Sequence, residues 1–385
     1  MKNFQYYNPV RVVFGKGTIR ELKKLLRDKS KILFLYGGGS IKKNGVYDQV
    51  VEALKGKDFI EYSGIQANPD YEDCMNCVLL AEKENVDFIL SVGGGSVLDA
   101  AKFIAAAIYY EGGEPWEILI GKGRIKKALP LGSVLTLPAT GSEMNANSVI
   151  SRREIGEKRA FSSPHVYPEF SILDPETTYS LSKRQVANGI VDAWVHVLEQ
   201  YMTTSLDSPL QDRQAEAVLL TLLEEGPKAV LSNKDYEVQA NIMWCSTNAL
   251  NGLIGCGVDQ DWATHGIGHE LTALYGIDHA RTLAVVLPGL LSLMRKQKEQ
   301  KLLQYAERIW GISMGDTNVR IDEAIARTCL FFESLGVDTR YSDLGIDEDA
   351  PEKIAARIDG RNEVFGEGQN IRGPEIIKIL KNLKD

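Results

Sequence analysis

The chain has 385 residues, of which 44% are hydrophobic and 25% charged, and a formal net charge of -8. That length exceeds what one hydrophobic core usually serves, so two globular domains are expected. The acidic balance argues against nucleic acid or an anionic membrane surface as partner and leaves small molecules.

In chain order, MKNFQYYNPV carries no apolar leader segment, so a cytoplasmic protein is expected. From 31 to about 174, short runs rich in β-branched and aromatic residues alternate with helical patterns: KILFLYG, IKKNGVYDQVVEALKG, FIEYSG, CMNCVLLAEKENV, FILSVGG, SVLDAAKFIAAAIYY and SVLTLPA. This is βαβ grammar and predicts a largely parallel sheet covered by helices. VRVVFGKGTI, SVIS, RAFSS and FSILD add strands outside the regular alternation. The five cysteines are too few and too odd in number for a disulfide framework, and Cys74 and Cys77 read as helix packing rather than as half of a zinc site. Near DPETTYSLS both patterns stop, which places a boundary between residues 1–180, an α/β dinucleotide-binding domain, and 181–385, a helical metal-binding and catalytic domain. Long amphipathic segments such as RQAEAVLLTLLEEG, KLLQYAERIWG and RIDEAIARTCLFFESLG fill the second. The most apolar run, LAVVLPGLLSLM at 283 to 294, reads as broken by Pro288 and Gly289 and is too short to span a bilayer.

Three segments that follow strands carry candidate cofactor chemistry. LYGGGS offers Gly37, Gly38, Gly39 and Ser40, and SVGGGSVLDAAK offers Gly94, Gly95, Ser96 and Asp99. Glycines at a strand-to-helix turn let backbone N–H groups approach a phosphate beside the positive end of a helix. Neither run contains GxGxxG or the GK[ST] of a P-loop, which disfavours a kinase or ATPase. TLPATGSEMN adds Thr136, Thr140, Ser142 and Asn145, with a polar capping loop as the alternative reading.

The chain has five histidines, and four of them, His196, His265, His269 and His279, fall between residues 196 and 279. In VDAWVHVLEQ, Asp192 and His196 stand four apart; in HGIGHELTALYGIDHA, His265 and His269 do the same. Side chains at i and i+4 share a helix face and can converge on one point. Imidazoles with a carboxylate suit Zn2+ or Fe2+, although spacing alone does not say which three histidines bind.

With YGGGSIKKNGVYDQV, SVGGGSVLDAAKFIAAA, LTLPATGSE, QVANGIVDA, EQY, NGLIG and QDWATHGIGHELTALYGIDHARTLAVVLP in this order, the chain resembles the iron-containing (group III) alcohol dehydrogenases over almost its whole length. The likeness is strongest to the butanol-dehydrogenase-like branch and its NADPH-dependent aldehyde reductases. The resemblance implies a Rossmann-like α/β domain and an all-α C-terminal domain with the active site in the cleft between them, and a homodimer. It implies Asp192, His196, His265 and His279 as ligands of one Fe2+ or Zn2+ and leaves His269 unligated beside the nicotinamide, where this ring, or a water chain reaching it, is the candidate proton donor. It also places Gly94, Gly95 and Ser96 at the pyrophosphate, Asp99 near the nicotinamide-side loop as a second catalytic candidate, Thr136, Thr140 and Ser142 along the cofactor, and Lys158 and Leu181 as further contacts. Two positions depart from the family pattern: Ser182 stands where proline is usual, and Trp194 where a smaller aliphatic residue is usual, which puts the shape of the substrate pocket in question.

The expected activity is NADP(H)-dependent interconversion of aldehydes and primary alcohols. The YGGGS turn favours the 2′-phosphate because no carboxylate follows the strand there and Lys42 and Lys43 lie close by. The rivals are a glycerol or polyol dehydrogenase, a sugar-phosphate cyclase, and a non-catalytic NADPH-binding sensor with a structural metal. A phosphorylated substrate would call for a basic cluster, and Arg281 alone stands near 265–279.

Overall fold

The computed structural model describes residues 1–204 and 207–381. They form two compact units. One comprises Tyr7–Leu181 with Asn233–Thr247; the other comprises Met1–Tyr6, Ser182–Ser232 and the chain from Asn248 onward.

The first unit is built on eight strands: β1 (Arg11–Phe14), β2 (Lys31–Tyr36), β3 (Asp58–Tyr62), β4 (Phe88–Gly94), β5 (Leu131–Leu137), β6 (Asn147–Arg152), β7 (Glu157–Ser162) and β8 (Phe170–Leu173). Six of them make a parallel sheet in the order β1-β8-β5-β4-β2-β3, and β6 and β7 pair as an antiparallel hairpin. The helices α1 (Val46–Ala53), α2 (Tyr71–Lys83) and α3 (Gly95–Ala107) connect the strands. Both faces of the sheet are buried, and the side-chain alternation of β2 shows it: Ile32, Phe34 and Tyr36 enter one core, and Leu33 and Leu35 the other. Cys74 and Cys77 are fully buried in the second of these cores, and all five cysteines are free. From β2 the chain moves outward to β3; from β4 it moves the other way, to β5. The strand order therefore reverses between β2 and β4, where open α/β sheets bind ligands at their carboxyl ends.

The second unit is helical: α4 (Lys183–Tyr201), α5 (Pro209–Leu231), α7 (Ala263–Tyr275), α8 (His279–Leu293), α9 (Glu299–Trp310), α10 (Thr317–Ser334), α11 (Ala350–Gly360) and α12 (Gly373–Lys381), while most of α6 (Tyr236–Ala249) belongs to the first unit. Ser182, in place of the usual proline, begins α4 with a capping box: its hydroxyl accepts from the Gln185 N–H and the Gln185 side chain accepts from the Ser182 N–H. This satisfies two of the N–H groups that a helix start leaves open.

The expected break at Pro288 and Gly289 does not occur, since α8 runs through both to Leu293. An interior proline costs about 3 kcal/mol through its missing N–H and its steric clash. Here Leu283, Val285, Val286, Leu290 and Leu291 are buried around it, and that burial outweighs the penalty. Among the described residues no helix is long and apolar enough to cross a membrane.

Candidate metal centre and nucleotide-binding turns

Asp192 and His196 lie one turn apart on α4, His265 stands near the start of α7, and His279 opens α8. The Asp192 Oδ1 atom is 3.7 Å from His196 Nε2, 3.6 Å from His265 Nε2 and 3.9 Å from His279 Nε2. Ligand atoms of Asp192, His265 and His279 all lie within 4.8 Å of one another. Bonds of about 2.1 Å to a tetrahedral ion put neighbouring ligand atoms ~3.4 Å apart, so the observed separations suit one ion with small adjustment.

A carboxylate missed in the sequence orients this cluster. Glu199, seven residues after Asp192 and so on the same face of α4, accepts the N–H groups of Thr264 at 2.6 Å and His265 at 3.3 Å and pairs with His265 Nδ1. That contact engages Nδ1 and leaves Nε2 as the ring nitrogen facing Asp192, the one that would bind a cation once its proton is displaced. Nε2 is buried and has no hydrogen-bond partner among the described residues. Burial works against protonation of this ring, but Glu199 and Asp192 outweigh it and raise its pKa to about 9. A pocket that attracts a proton this strongly has the charge and the donor atoms to fit a divalent cation.

The surrounding rings differ on the two flanks of His265. His269 lies on one, 6.2 Å from His265 and 4.9 Å from His279 between ring centres. Trp262 lies on the other, 5.5 Å from His265 and 6.2 Å from His196. Its backbone is left-handed, with φ 62°, a strained conformation for so bulky a residue. Trp194, two residues from each ligand of α4, points to the opposite face of the helix and packs with Trp310, Phe331 and Phe332. It therefore leaves the ring flanks of the histidine cluster untouched.

In the α/β unit the three glycine- and hydroxyl-bearing segments meet. Gly37–Ser40 follow β2, and Gly94–Ser96 span the end of β4 and the start of α3, on the two sides of the switch point. A methyl group on Gly95 would stand 2.5 Å from the Thr140 side chain, and one on Gly94 would stand 3.0 Å from Leu137, so these glycines allow the loop after β5 to close on the start of α3. Gly38 has open space around it. Lys42 stacks over Tyr36 and Tyr47, whose hydroxyls both donate to Glu61, so its charge is shared with that cluster; Lys42 and Lys43 are both exposed.

Asp99, Ser142 and Asn145 turn inward. Asp99 accepts from Ser142 Oγ at 2.7 Å and from the Val149 N–H at 3.0 Å, and burial pushes its carboxyl pKa up despite nearby Lys102 and Lys158. The fully buried Lys102, absent from the sequence-based candidates, donates to Ser142 Oγ and Asn145. It could have been suspected as the only cation in a largely apolar, alanine-rich helix whose one carboxylate is Asp99. Thr136 is buried at the end of β5, Lys158 is buried on β7, and Leu181 ends the turn after Ser180.

Family models match residues 9–175, as iron-containing alcohol dehydrogenase, and 186–383, as the C-terminal domain of the Fe-containing alcohol dehydrogenase family. The chain belongs to the iron-containing alcohol dehydrogenase family. It is 57% identical over 349 residues to the NADPH-dependent aldehyde reductase YqhD of Escherichia coli, covering 90% of each chain. It is 37% identical over 390 residues to NADH-dependent butanol dehydrogenase A of Clostridium acetobutylicum, covering 99% of each. The crystal structure of Escherichia coli YqhD superposes with a TM-score of 0.97 at 52% identity, covering 99% of both chains. That of butanol dehydrogenase A from Thermotoga maritima gives 0.96 at 37% identity, covering 100% of this chain and 99% of the other. Family membership agrees with the alcohol dehydrogenase expected from the motifs and with the α/β and helical halves seen here.

Proposed function

We propose that this member of the family is an aldehyde reductase that uses NADP(H) and one divalent ion, Fe2+ or Zn2+, to interconvert aldehydes and primary alcohols. The observation that carries the reading is the convergence of three imidazoles on one oxygen of Asp192, in a chain whose other unit presents glycine turns at its sheet's switch point. Asp192, His196, His265 and His279 would hold the ion, which when bound polarises the carbonyl oxygen as a Lewis acid. Glu199 keeps His265 in the ligating tautomer. His269 returns a proton to the product oxygen, directly or through water. Trp262 supplies an apolar flank that restricts water. Asp99, with both carboxylate oxygens engaged internally, acts by positioning the loop after β5 rather than by touching the reactants. The backbone of Gly37–Ser40 and Gly94–Ser96, with Thr136, Thr140, Lys158 and Leu181, would line the dinucleotide.

The 2′-phosphate preference rests on the open, carboxylate-free Gly38 turn and on likeness to an NADPH-dependent relative; other relatives are named for NADH. A cytoplasmic homodimer completes the proposal. The free cysteines fit a reducing compartment. Among the described residues the edge strand β1 pairs only with β8, and it carries the exposed Phe14 packed edge-on against the exposed Trp244, a surface a second copy could cover. The test is oxidation of NADPH and NADH by metal-loaded protein against a panel of short aldehydes. Turnover with NADPH several-fold more efficient than with NADH is expected, and no turnover with any aldehyde would leave the sensor reading in its place.

A further inference from the structure

Among the described residues three lysines, Lys102, Lys298 and Lys301, are no more than 2% exposed, and they are not alike. In the helical unit Lys298 lies 2.8 Å from carboxylate oxygens of both Asp261 and Glu367, and Lys301 pairs with Asp212. These are internal ion pairs, each cation resting on an acid. Lys102 in α3 has no carboxylate as a hydrogen-bond partner. Its ammonium donates to Ser142 Oγ at 2.8 Å, Asn145 O at 2.9 Å, Asn145 Oδ1 at 3.1 Å and Asn147 O at 2.8 Å.

All of these acceptors belong to residues 142–147, which run from the loop after β5 to the first residue of β6. Three N–H donors meet four acceptors, which defines that segment more tightly than any neutral side chain could. The same loop touches α3 a second time, where Thr140 packs against Gly95. Asp99, on the turn of α3 before Lys102, closes the arrangement by accepting from Ser142 and Val149. Two contacts some two turns apart along one helix therefore hold the loop in both position and angle.

We propose that Lys102 is the positioning residue of the dinucleotide site: its buried charge fixes the loop of residues 140–147 relative to the Gly94–Ser96 turn, so that both meet the cofactor preformed. The inference rests on the assignment of NADP(H) to these turns. Burying an ammonium is costly, and the molecule recovers that cost in the order imposed on one loop. Preorganised loops bind more tightly because less freedom is lost on binding.

The test is equilibrium binding of NADPH, followed by nicotinamide fluorescence, to wild-type protein and to Lys102→Met, with steady-state kinetics on both. Wild-type protein that binds neither NADPH nor NADH would refute the functional reading itself. With wild-type binding established, Lys102→Met should raise the NADPH dissociation constant and KM by about tenfold, leaving the aldehyde KM and the metal content unchanged. Folded Lys102→Met with NADPH affinity within twofold of wild type overturns the proposal, as does an equal rise in both KM values. Should the variant not fold, wild-type protein decides through pH. Burial lowers the pKa of Lys102 to about 8, against the pull of the facing Asp99 and Glu143, so its charge is lost as pH rises through that value. NADPH binding should weaken between about pH 7 and pH 9.5, whereas a flat profile counts against the clamp.

Discussion

The glycine turns of the α/β unit and the histidine cluster of the helical unit are built on different principles. Each turn is a contiguous stretch, a strand followed by glycines, and its groups are backbone N–H atoms whose direction follows from the local fold. The cluster draws two side chains from α4 and one each from α7 and α8, and exists only when those helices pack correctly. A substitution in a turn should therefore adjust affinity, because backbone donors remain. A substitution in the cluster removes an irreplaceable ligand.

The largest effect expected from this contrast is that of His279→Ala. Loss of one of four ligands should empty the site and lower turnover by ~10³-fold or more, while the NADPH dissociation constant stays near that of wild type. Metal analysis and fluorescence titration on the same sample would show the separation; parallel loss of both would mean that the two regions are not independent. His269→Gln comes next. If this ring carries a proton rather than the metal, metal content should be retained and kcat should fall ~10²-fold. Metal loss would make His269 a ligand. The smallest effect belongs to Gly38→Asp, in open space at the first turn. Repulsion of the 2′-phosphate should reduce the NADPH-to-NADH ratio of kcat/KM by several-fold, with metal content unaltered. An unchanged ratio would move the phosphate site elsewhere.

The two regions also differ in how much the sequence disclosed. The strands around both glycine runs follow from short runs rich in β-branched and aromatic residues set between helical patterns, and the pairing of Asp192 with His196 from the 3.6-residue helical repeat. Glu199 sits at the next helical repeat from Asp192 yet escaped attention, because a glutamate near the end of a helix is ordinarily solvated; only the fold brings α7 onto it. The inward turn of Asp99, Ser142 and Asn145 was equally invisible, since the direction of a polar side chain beside a glycine turn depends on what packs behind it, here Lys102. Pro288 misled for the same reason in reverse: the local rule for proline holds, and tertiary burial overrides it. Trp194 departs from its family's pattern without consequence for the metal side, because a residue two positions from each ligand faces the other way on a helix.

The claim on which the account depends is that Asp192, His196, His265 and His279 form one divalent-metal site. Titration of chelator-treated protein with cobalt(II), followed by its visible absorption, tests it without reliance on activity. The account predicts bands that saturate at about one equivalent per chain, at the intensity of a nitrogen- and oxygen-ligated ion, and that are lost in His279→Ala. Bands that fail to saturate near one equivalent, or that persist unchanged in the variant, would contradict it.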